Sequence, residues 1–233
     1  GIFRPVSLII TDEVRIEPFG IHVWNNSACD TVFIETEVKN YSSAEASFSL
    51  VHNLNMASGK RVFRLTENLT LAPHETRIVR QTAAVNDVTR WQPDAPYLYN
   101  LVSMIKRGGK TTDQTETPYG IRDIRWVRPY SNIRDAAEVP EAPGFYINGR
   151  RMFINGTCEY EHLLGAGHAF SRRQIESRMR LIRQAGFNAY REAHQPHNLL
   201  YQDILDREGI LFWSQFSAHI WYDTPQFREN FKS

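Results

Sequence analysis

The sequence lacks the features that define several large classes of protein. Its two cysteines, Cys29 and Cys158, are too few for a disulfide framework or a four-thiolate zinc site, and we treat both as free thiols. No apolar run is long enough to cross a bilayer, and the first residues carry no signal-peptide pattern. Lys and Arg total 27 against 26 Asp and Glu, a formal net charge of +1, so a nucleic-acid-binding surface is not expected.

What is present is the composition of a folded globular protein, with 42% hydrophobic and 23% charged residues among 233. The chain does not begin with Met, and residues 226–231 have the pattern of a helix that has just begun. We therefore expect this chain to be a piece of a longer protein.

Residues 1–130 have the pattern of an antiparallel β-sandwich. Between 32 and 38, Val32, Ile34 and Val38 alternate with bulky or charged residues, which is the period of two of a half-buried strand. The other strand candidates are short and bounded by turn-forming residues; they are 13–24, 45–53, 60–66, 75–85, 97–107 and 114–127. About seven such strands with no helical pattern between them predict two packed antiparallel sheets.

The pattern changes after a predicted linker at 131–143, and residues 144–233 combine strands with helices. Asn148-Gly149 predicts a hairpin between 145–147 and 152–154. Ser171 and Gln174 predict the capping box of a helix that buries Ile175, Met179 and Ile182 and stops at Gly186.

Two further strands and a second helix complete the predicted order. We predict strands at 187–191 and 210–216, the second buried throughout, and a helix at 198–208 that stops at Gly209. Strand, helix, strand, helix, strand is the order of parallel βαβ units.

Polar side chains follow each predicted parallel strand. Because the carboxyl ends of parallel strands meet at one edge of a sheet, we expect these side chains to share a rim. Their donors, acceptors and flat aromatic faces suit a hydroxyl-rich ligand such as a sugar. They are His162 after the first strand, Arg191, Glu192 and His194 after the second, and Gln215, His219, Trp221 and Tyr222 after the third.

Other interpretations of this rim stay open from the residues alone. His194 and His197, with His162 or His219, could ligate zinc, although they sit around Pro196 in a loop. The acids that could form a carboxylate pair for glycosidic chemistry are Glu159, Glu161 and Glu192. Each of these side chains could equally be an ordinary hydrogen-bond partner of its neighbours.

Six short segments carry a resemblance to a known family. They are Gly1-Ile2-Phe3-Arg4-Pro5-Val6; Trp91-Gln92-Pro93-Asp94-Ala95-Pro96-Tyr97-Leu98-Tyr99; Tyr119-Gly120-Ile121-Arg122; Phe145-Tyr146-Ile147-Asn148-Gly149 with Gly156 and Glu161-His162; Ala185-Gly186-Phe187-Asn188-Ala189-Tyr190-Arg191 with His194-Gln195-Pro196; and Asp206-Arg207-Glu208-Gly209-Ile210. In this order they resemble glycoside hydrolase family 2, which contains β-galactosidases, β-glucuronidases and β-mannosidases.

The resemblance implies an immunoglobulin-like β-sandwich over 1–130, with the last strand of a preceding jelly-roll domain or a lead-in at 1–10. After the linker, 144–233 would be the truncated N-terminal part of a (β/α)8 TIM-barrel catalytic domain. The parent would be an exo-acting, retaining glycoside hydrolase that cleaves terminal β-linked sugars. Its two catalytic glutamates would follow later barrel strands, so we assign no catalytic residue here and expect the isolated chain to be inactive.

In the family, Arg191 and His194 would match the Arg-x-x-His signature whose residues contact the sugar. Tyr160 stands where galactosidases have a substrate-contacting histidine, and Ser214-Gln215 replaces an Asp-Glu pair, so the sugar stays open. We expect no metal ligand and no cofactor. The predicted substrate-binding residues are Arg191, His194, Tyr160, His162, Glu161, Gln215 and Trp221.

The alternative function is a non-catalytic β-sandwich module that binds carbohydrate or a protein partner. Nucleic acid and membrane are not expected partners. Three strands cannot close a barrel and would leave an apolar edge at 210–216, so we expect either self-association, as in a homo-oligomer, or disorder after about residue 145. Localisation is undetermined, with a periplasmic or secreted parent favoured for a polysaccharide degrader.

Overall fold

The computed structural model describes residues 2, 4, 6–127, 142–162, 167–215 and 224–232. Residues 7–153 form one compact unit, and residues 1–6 together with 154–233 form a second. Within the described residues, no helix is both long and apolar enough to cross a bilayer.

Seven strands form the sandwich of the first unit. They are β1 Val14–Asn25, β2 Thr31–Asn40, β3 Ala46–Asn55, β4 Arg61–Leu71, β5 Thr76–Ala84, β6 Tyr99–Arg107 and β7 Lys110–Tyr119. They pair antiparallel in a three-stranded sheet, β1-β2-β5, and a four-stranded sheet, β4-β3-β6-β7. This confirms the predicted immunoglobulin-like sandwich.

The core of the sandwich lies between its two sheets. Buried and partly exposed residues alternate along the whole of β2, and its buried side chains include Val32, Ile34 and Val38. Val38 packs in a cluster with Leu50 of the other sheet, and Val32 and Ile34 pack in a second cluster with Leu101. Each such aliphatic side chain contributes about 1.5–3 kcal/mol when fully buried, so this interface is the main stabilising element of the unit.

The predicted strand 114–127 is in fact two strands, β7 and β8 (Ile124–Val127), with residues 120–123 between them. In this break the Trp91 backbone N–H donates to the Ile121 carbonyl at 2.8 Å, and Gly120 lies against the Trp91 side chain. The ladder stops here because these backbone groups bond elsewhere: the Arg122 N–H donates to Asn25 Oδ1 and the Asp123 N–H to Asn148 Oδ1.

A second, smaller sheet completes the first unit. β9 (Gly144–Ile147) and β10 (Arg150–Met152) form the predicted hairpin, and β9 also pairs with β8. Asn148 and Gly149 both have positive φ, 51° and 78°, as a type I′ turn requires. Because of this pairing, the first compact unit extends to residue 153, whereas the predicted sandwich domain ended at residue 130 and the hairpin was expected in the second domain. Residues 131–141 of that linker lie outside the described residues.

The described part of the second unit contains three parallel strands, β11 Gly156–Glu159, β12 Ala189–Glu192 and β13 Leu211–Trp213, in the order β11-β12-β13. Its helices are α1 Arg172–Gln184, α2 Leu200–Glu208 and α3 Pro225–Lys232. The alternation of strand and helix confirms the predicted start of a TIM barrel.

The ends of α1 and α2 follow the predicted signals closely. Ser171 and Gln174 form the capping box of α1, and Gly209 ends α2 in a left-handed conformation. α2 begins at Leu200, two residues later than predicted, and just before it the Asn198 side chain accepts the Leu200 N–H at 3.0 Å.

α1 and α2 cover one face of the parallel sheet. Ile175 and Met179 of α1 and Ile204 of α2 are buried in one cluster with Tyr190 of β12. The prediction that 210–216 is buried throughout is wrong, since β13 is short and Trp213 is 68% exposed. Trp213 is exposed because its side chain points away from the helices.

Residues 6–12 form no strand, and the assignment of 1–10 to the last strand of a preceding domain or to a lead-in stays a prediction. Arg4 instead belongs to the second unit, where its Nη2 lies 2.7 Å from Glu161 Oε2.

A polar chain crosses the sandwich core. The fully buried His52 of β3 has Nε2 at 3.1 Å from Thr36 Oγ1 on β2 and Nδ1 at 2.7 Å from Ser103 Oγ on β6. The imidazole therefore links the two sheets. Burial lowers the pKa of His52 to about 4, because the imidazolium would lose its hydration.

We expect the sandwich to lose stability as pH falls from about 6.5, the ordinary histidine pKa, to about 4. A histidine with a lowered folded pKa binds its proton more readily in the unfolded chain, so protonation favours unfolding across this window. The loss should be on the order of 3 kcal/mol, at about 1.4 kcal/mol per pKa unit. Urea denaturation at stepped pH measures it.

His52→Gln should flatten this pH dependence, whereas His22→Gln, at an exposed histidine of β1, should preserve it. A slope that persists in the unfolding transition of residues 7–153 in His52→Gln would contradict the assignment; His197, whose pKa is also lowered, belongs to the second unit.

Gly120→Ala should destabilise the first unit by about 1–3 kcal/mol, because overpacking strains a filled core. The new Cβ would lie 2.9 Å from Trp91 Cβ and 3.0 Å from Trp91 Cγ. Chemical denaturation measures the loss. In a Trp91→Gly background, which lacks both of these carbon atoms, the same substitution should cost less than about 0.5 kcal/mol, and equal costs in both backgrounds would refute the proposed clash.

Candidate functional site

The carboxyl ends of β11, β12 and β13 lie side by side at one edge of the parallel sheet. Their register pairs Cys158 with Arg191 and Arg191 with Trp213. Successive residues of a strand point to opposite faces, so these three side chains lie on the face opposite Tyr190, which packs against the helices. A thiol, a guanidinium and an indole thus form a row on the face that α1 and α2 do not cover.

Arg191 is held in this row by its neighbour on β11. Its Nη1 donates a hydrogen bond to Cys158 Sγ at 2.9 Å. The residue is partly exposed, and a guanidinium has five N–H donors in a planar fork, so Arg191 can also donate to a ligand.

His194, Tyr160 and Gln215 come together from three different strand ends. The ring centroids of Tyr160 and His194 are 5.1 Å apart in an edge-on arrangement, and Tyr160 is 62% exposed. The His194 backbone N–H donates to Gln215 Oε1 at 3.3 Å. The structure therefore brings these three predicted site residues, with Arg191, to one edge.

The remaining predicted residues are placed differently. His162 is exposed, and its ring centroid lies 5.9 Å from that of His168. Its backbone N–H donates to the Tyr160 carbonyl at 2.7 Å, and its own carbonyl accepts from Arg178 Nη1 at 3.3 Å. Trp221, with the candidates His219 and Tyr222, lies outside the described residues.

Glu161 is buried, with 1% of its surface exposed. Its Oε1 accepts the backbone N–H of Asn198 at 2.8 Å, and its Oε2 accepts from Arg4 Nη2 at 2.7 Å. Both oxygens are engaged away from solvent, so we do not retain Glu161 as a sugar contact. The side chain instead anchors the segment that precedes α2.

The other two candidate acids are also engaged in hydrogen bonds. Glu159 Oε2 accepts from Arg178 Nε of α1 at 2.6 Å. Glu192 is fully buried, and its oxygens accept the His197 backbone N–H at 3.0 Å and the Ser214 hydroxyl at 3.1 Å. Burial raises the pKa of Glu192, because the carboxylate loses hydration.

His197 is part of the helix-facing core. Its Nδ1 lies 3.3 Å from the Tyr190 hydroxyl, and its ring packs edge-on against Tyr201. Burial lowers the pKa of His197 to about 4. The zinc arrangement considered from sequence is not formed among the described residues, where no cluster of three His, Cys, Asp or Glu side chains could hold a metal.

Sequence reasoning missed Cys158 and Trp213 as residues of this row. The available signal was position: both are in register with Arg191, so they share its face. The apolar neighbours of Trp213 predict a buried strand and so hide its exposure.

The architecture places the chain in the class of proteins that join an immunoglobulin-like sandwich to a TIM barrel. Residues 14–122 match the model of glycosyl hydrolases family 2, and residues 139–218 match the model of the TIM barrel domain of the same family. The chain belongs to glycosyl hydrolases family 2.

Individual relatives agree with the family. The chain is 27% identical over 214 residues to a β-galactosidase of Bacteroides ovatus, with 91% of this chain and 24% of the relative covered. It is 25% identical over 247 residues to a β-glucuronidase of Bacteroides fragilis, with 100% and 34% covered. The chain therefore spans about a quarter to a third of the length of these relatives.

A crystal structure of a glycosyl hydrolase family 2 member from Bacteroides cellulosilyticus superposes with a TM-score of 0.77 at 26% identity. It covers 87% of this chain, which in turn covers 26% of that structure.

The two cysteines should react very differently with a thiol reagent. Cys158 is exposed, whereas Cys29 is buried and its thiol has a pKa that burial raises. Because the thiolate is the reactive form, Ellman's reagent should titrate one thiol rapidly in the native chain and the second only on unfolding.

Cys158→Ser should remove the rapid phase, and Cys29→Ser should preserve it. A rapid phase that survives in Cys158→Ser would show that the exposed thiol has been assigned wrongly.

Proposed function

We propose that these residues form part of an exo-acting, retaining glycoside hydrolase that removes terminal β-linked sugars from oligo- or polysaccharides. The observation that carries the proposal is the convergence of Tyr160, Arg191, His194 and Gln215 at one edge of a parallel sheet. This edge belongs to a TIM barrel domain of glycosyl hydrolases family 2. The names of the relatives, β-galactosidase and β-glucuronidase, support a β-linked sugar.

The chemistry of this edge suits sugar recognition. The Arg191 guanidinium donates, and the Gln215 amide and His194 imidazole can both donate and accept, so they match hydroxyl groups that do the same. Tyr160 and Trp213 present large exposed aromatic surfaces on which the C–H face of a sugar ring can rest. A few polar groups among aromatic surfaces is the usual composition of a small-molecule site.

The reacting carboxylates are assigned to a longer polypeptide that carries these residues. Glycoside hydrolysis needs two carboxyl groups that flank the scissile bond, about 5–5.5 Å apart in retaining enzymes. Glu159, Glu161 and Glu192 are each engaged with a donor of this unit, and two of them are buried. In this proposal the chain supplies sugar contacts and supporting structure.

The 233-residue chain should not hydrolyse aryl β-galactoside, glucuronide, mannoside or glucoside, whereas the longer natural polypeptide should hydrolyse at least one of them. Arg191→Ala and His194→Ala should each lower kcat/KM by about 100-fold, a typical loss for one hydrogen-bond donor of a transition state. Steady-state kinetics with that panel provide the measurement.

Arg173→Ala is the matched control, since this exposed arginine lies on α1. Turnover by the 233-residue chain would contradict the proposal that the reacting carboxylates lie outside it. Glu159, Glu161 and Glu192 would then be the candidates for those carboxylates. Sugar binding without turnover by the longer polypeptide would favour a non-catalytic carbohydrate-binding module.

A further inference from the structure

The His194 loop, residues 193–198, joins β12 to α2 and is tied to other strand ends. At its start, the Ala193 backbone N–H donates to the Glu159 carbonyl at 2.9 Å. The next N–H, that of His194, donates to Gln215 Oε1 at 3.3 Å. The loop is therefore attached on one side to β11 and on the other to the segment that follows β13.

Two buried carboxylates bind the other end of the His194 loop. The His197 N–H donates to Glu192 Oε1 at 3.0 Å, and the next N–H, that of Asn198, donates to Glu161 Oε1 at 2.8 Å. Arg4 Nη2 contacts both Glu161 Oε2 and the Pro196 carbonyl, at 2.7 and 3.2 Å. Side chains from outside thus hold the loop at both ends.

This loop contains a strained residue at the proposed sugar site. His194 has a φ of +68°, in the left-handed region that a non-glycine residue rarely adopts. Such a conformation persists only where the surroundings over-determine it. The hydrogen bonds on either side of His194 are the contacts that can do so.

Among these hydrogen-bond partners, Glu192 has the largest desolvation penalty. It is fully buried, and within the described part of the chain it forms no ion pair. A buried carboxylate pays a desolvation penalty that hydrogen-bond donors only partly offset. Its oxygens join two segments, because one accepts from His197 in the loop and the other from Ser214 just after β13.

We propose that Glu192 is a positioning residue of the sugar site: its carboxylate ties the His194 loop to the end of β13 and keeps His194 in its left-handed conformation. This inference rests on the proposed function, because His194 is taken as a sugar contact. Glu192 itself touches no sugar, since it lies on the helix-facing side of β12. Its effect on catalysis passes through His194.

A double-mutant cycle in the longer natural polypeptide tests this coupling. Glu192→Ala should lower kcat/KM for the best aryl β-glycoside on the order of 10- to 100-fold, as a small misplacement of a contact residue does. In a His194→Ala background the same change should cost less than about threefold, because coupled losses do not multiply. Glu192→Gln keeps an oxygen for the His197 N–H and should restore most of the activity.

Glu159→Ala is the matched control. Glu159 is the register partner of Glu192 on β11, but its side chain binds Arg178 of α1 and not the His194 loop. Any loss it causes should therefore multiply with that of His194→Ala. Thermal denaturation of every variant sets an assay temperature at which all are folded.

A readout independent of turnover uses the 233-residue chain. The amide and Cα chemical shifts of His194 report its backbone conformation, and they should move in Glu192→Ala but stay in place in Glu159→Ala. Unchanged His194 shifts in Glu192→Ala, or losses of kcat/KM that multiply in the cycle, would overturn the positioning role. Inactivity of the unsubstituted polypeptide counts against the proposed function alone, because the chemical shifts still decide the positioning.

Discussion

The parallel pairing of β11, β12 and β13 is the constraint on which the candidate site depends. It sets Cys158, Arg191 and Trp213 in one row and turns Tyr190 towards the helices. Because all three strands run the same way, the segments that leave them meet at one edge. Groups far apart in sequence, such as Tyr160 and His194, come into contact there.

Most of the fold could be predicted because local patterns and tertiary packing agree. The alternation in β2, the capping box at Ser171 and the Asn148-Gly149 turn each specify one local geometry, and the structure uses all three. The predictions failed where a contact between residues distant in sequence determines the local structure. The break after β7 depends on Trp91, and the exposure of Trp213 depends on which face the helices cover.

The candidate acids show the same limit more sharply. Sequence position places Glu159, Glu161 and Glu192 at strand ends, and that much is correct. Sequence position does not reveal which face of the sheet each side chain lies on or which hydrogen-bond donors it meets there. Glu161 and Glu192 bind consecutive backbone N–H groups of one loop, and the N–H that Glu161 binds lies 37 residues further along the chain. Glu161 and Glu192 thus hold the backbone of the candidate site in place, whereas glutamates in other positions of an active site can take part in the reaction.

The ion pair between Arg4 and Glu161 joins residues 157 positions apart in one compact unit. On the ribosome, Arg4 is made before Glu161, so this ion pair cannot form until Glu161 has been synthesised. Residues 7–153 contain all the strands of their own sheets, so that unit can acquire its structure while translation continues. The unit that carries the candidate site must wait for its second segment. Vectorial synthesis thus imposes an order of assembly, with the sandwich first and the parallel sheet afterwards.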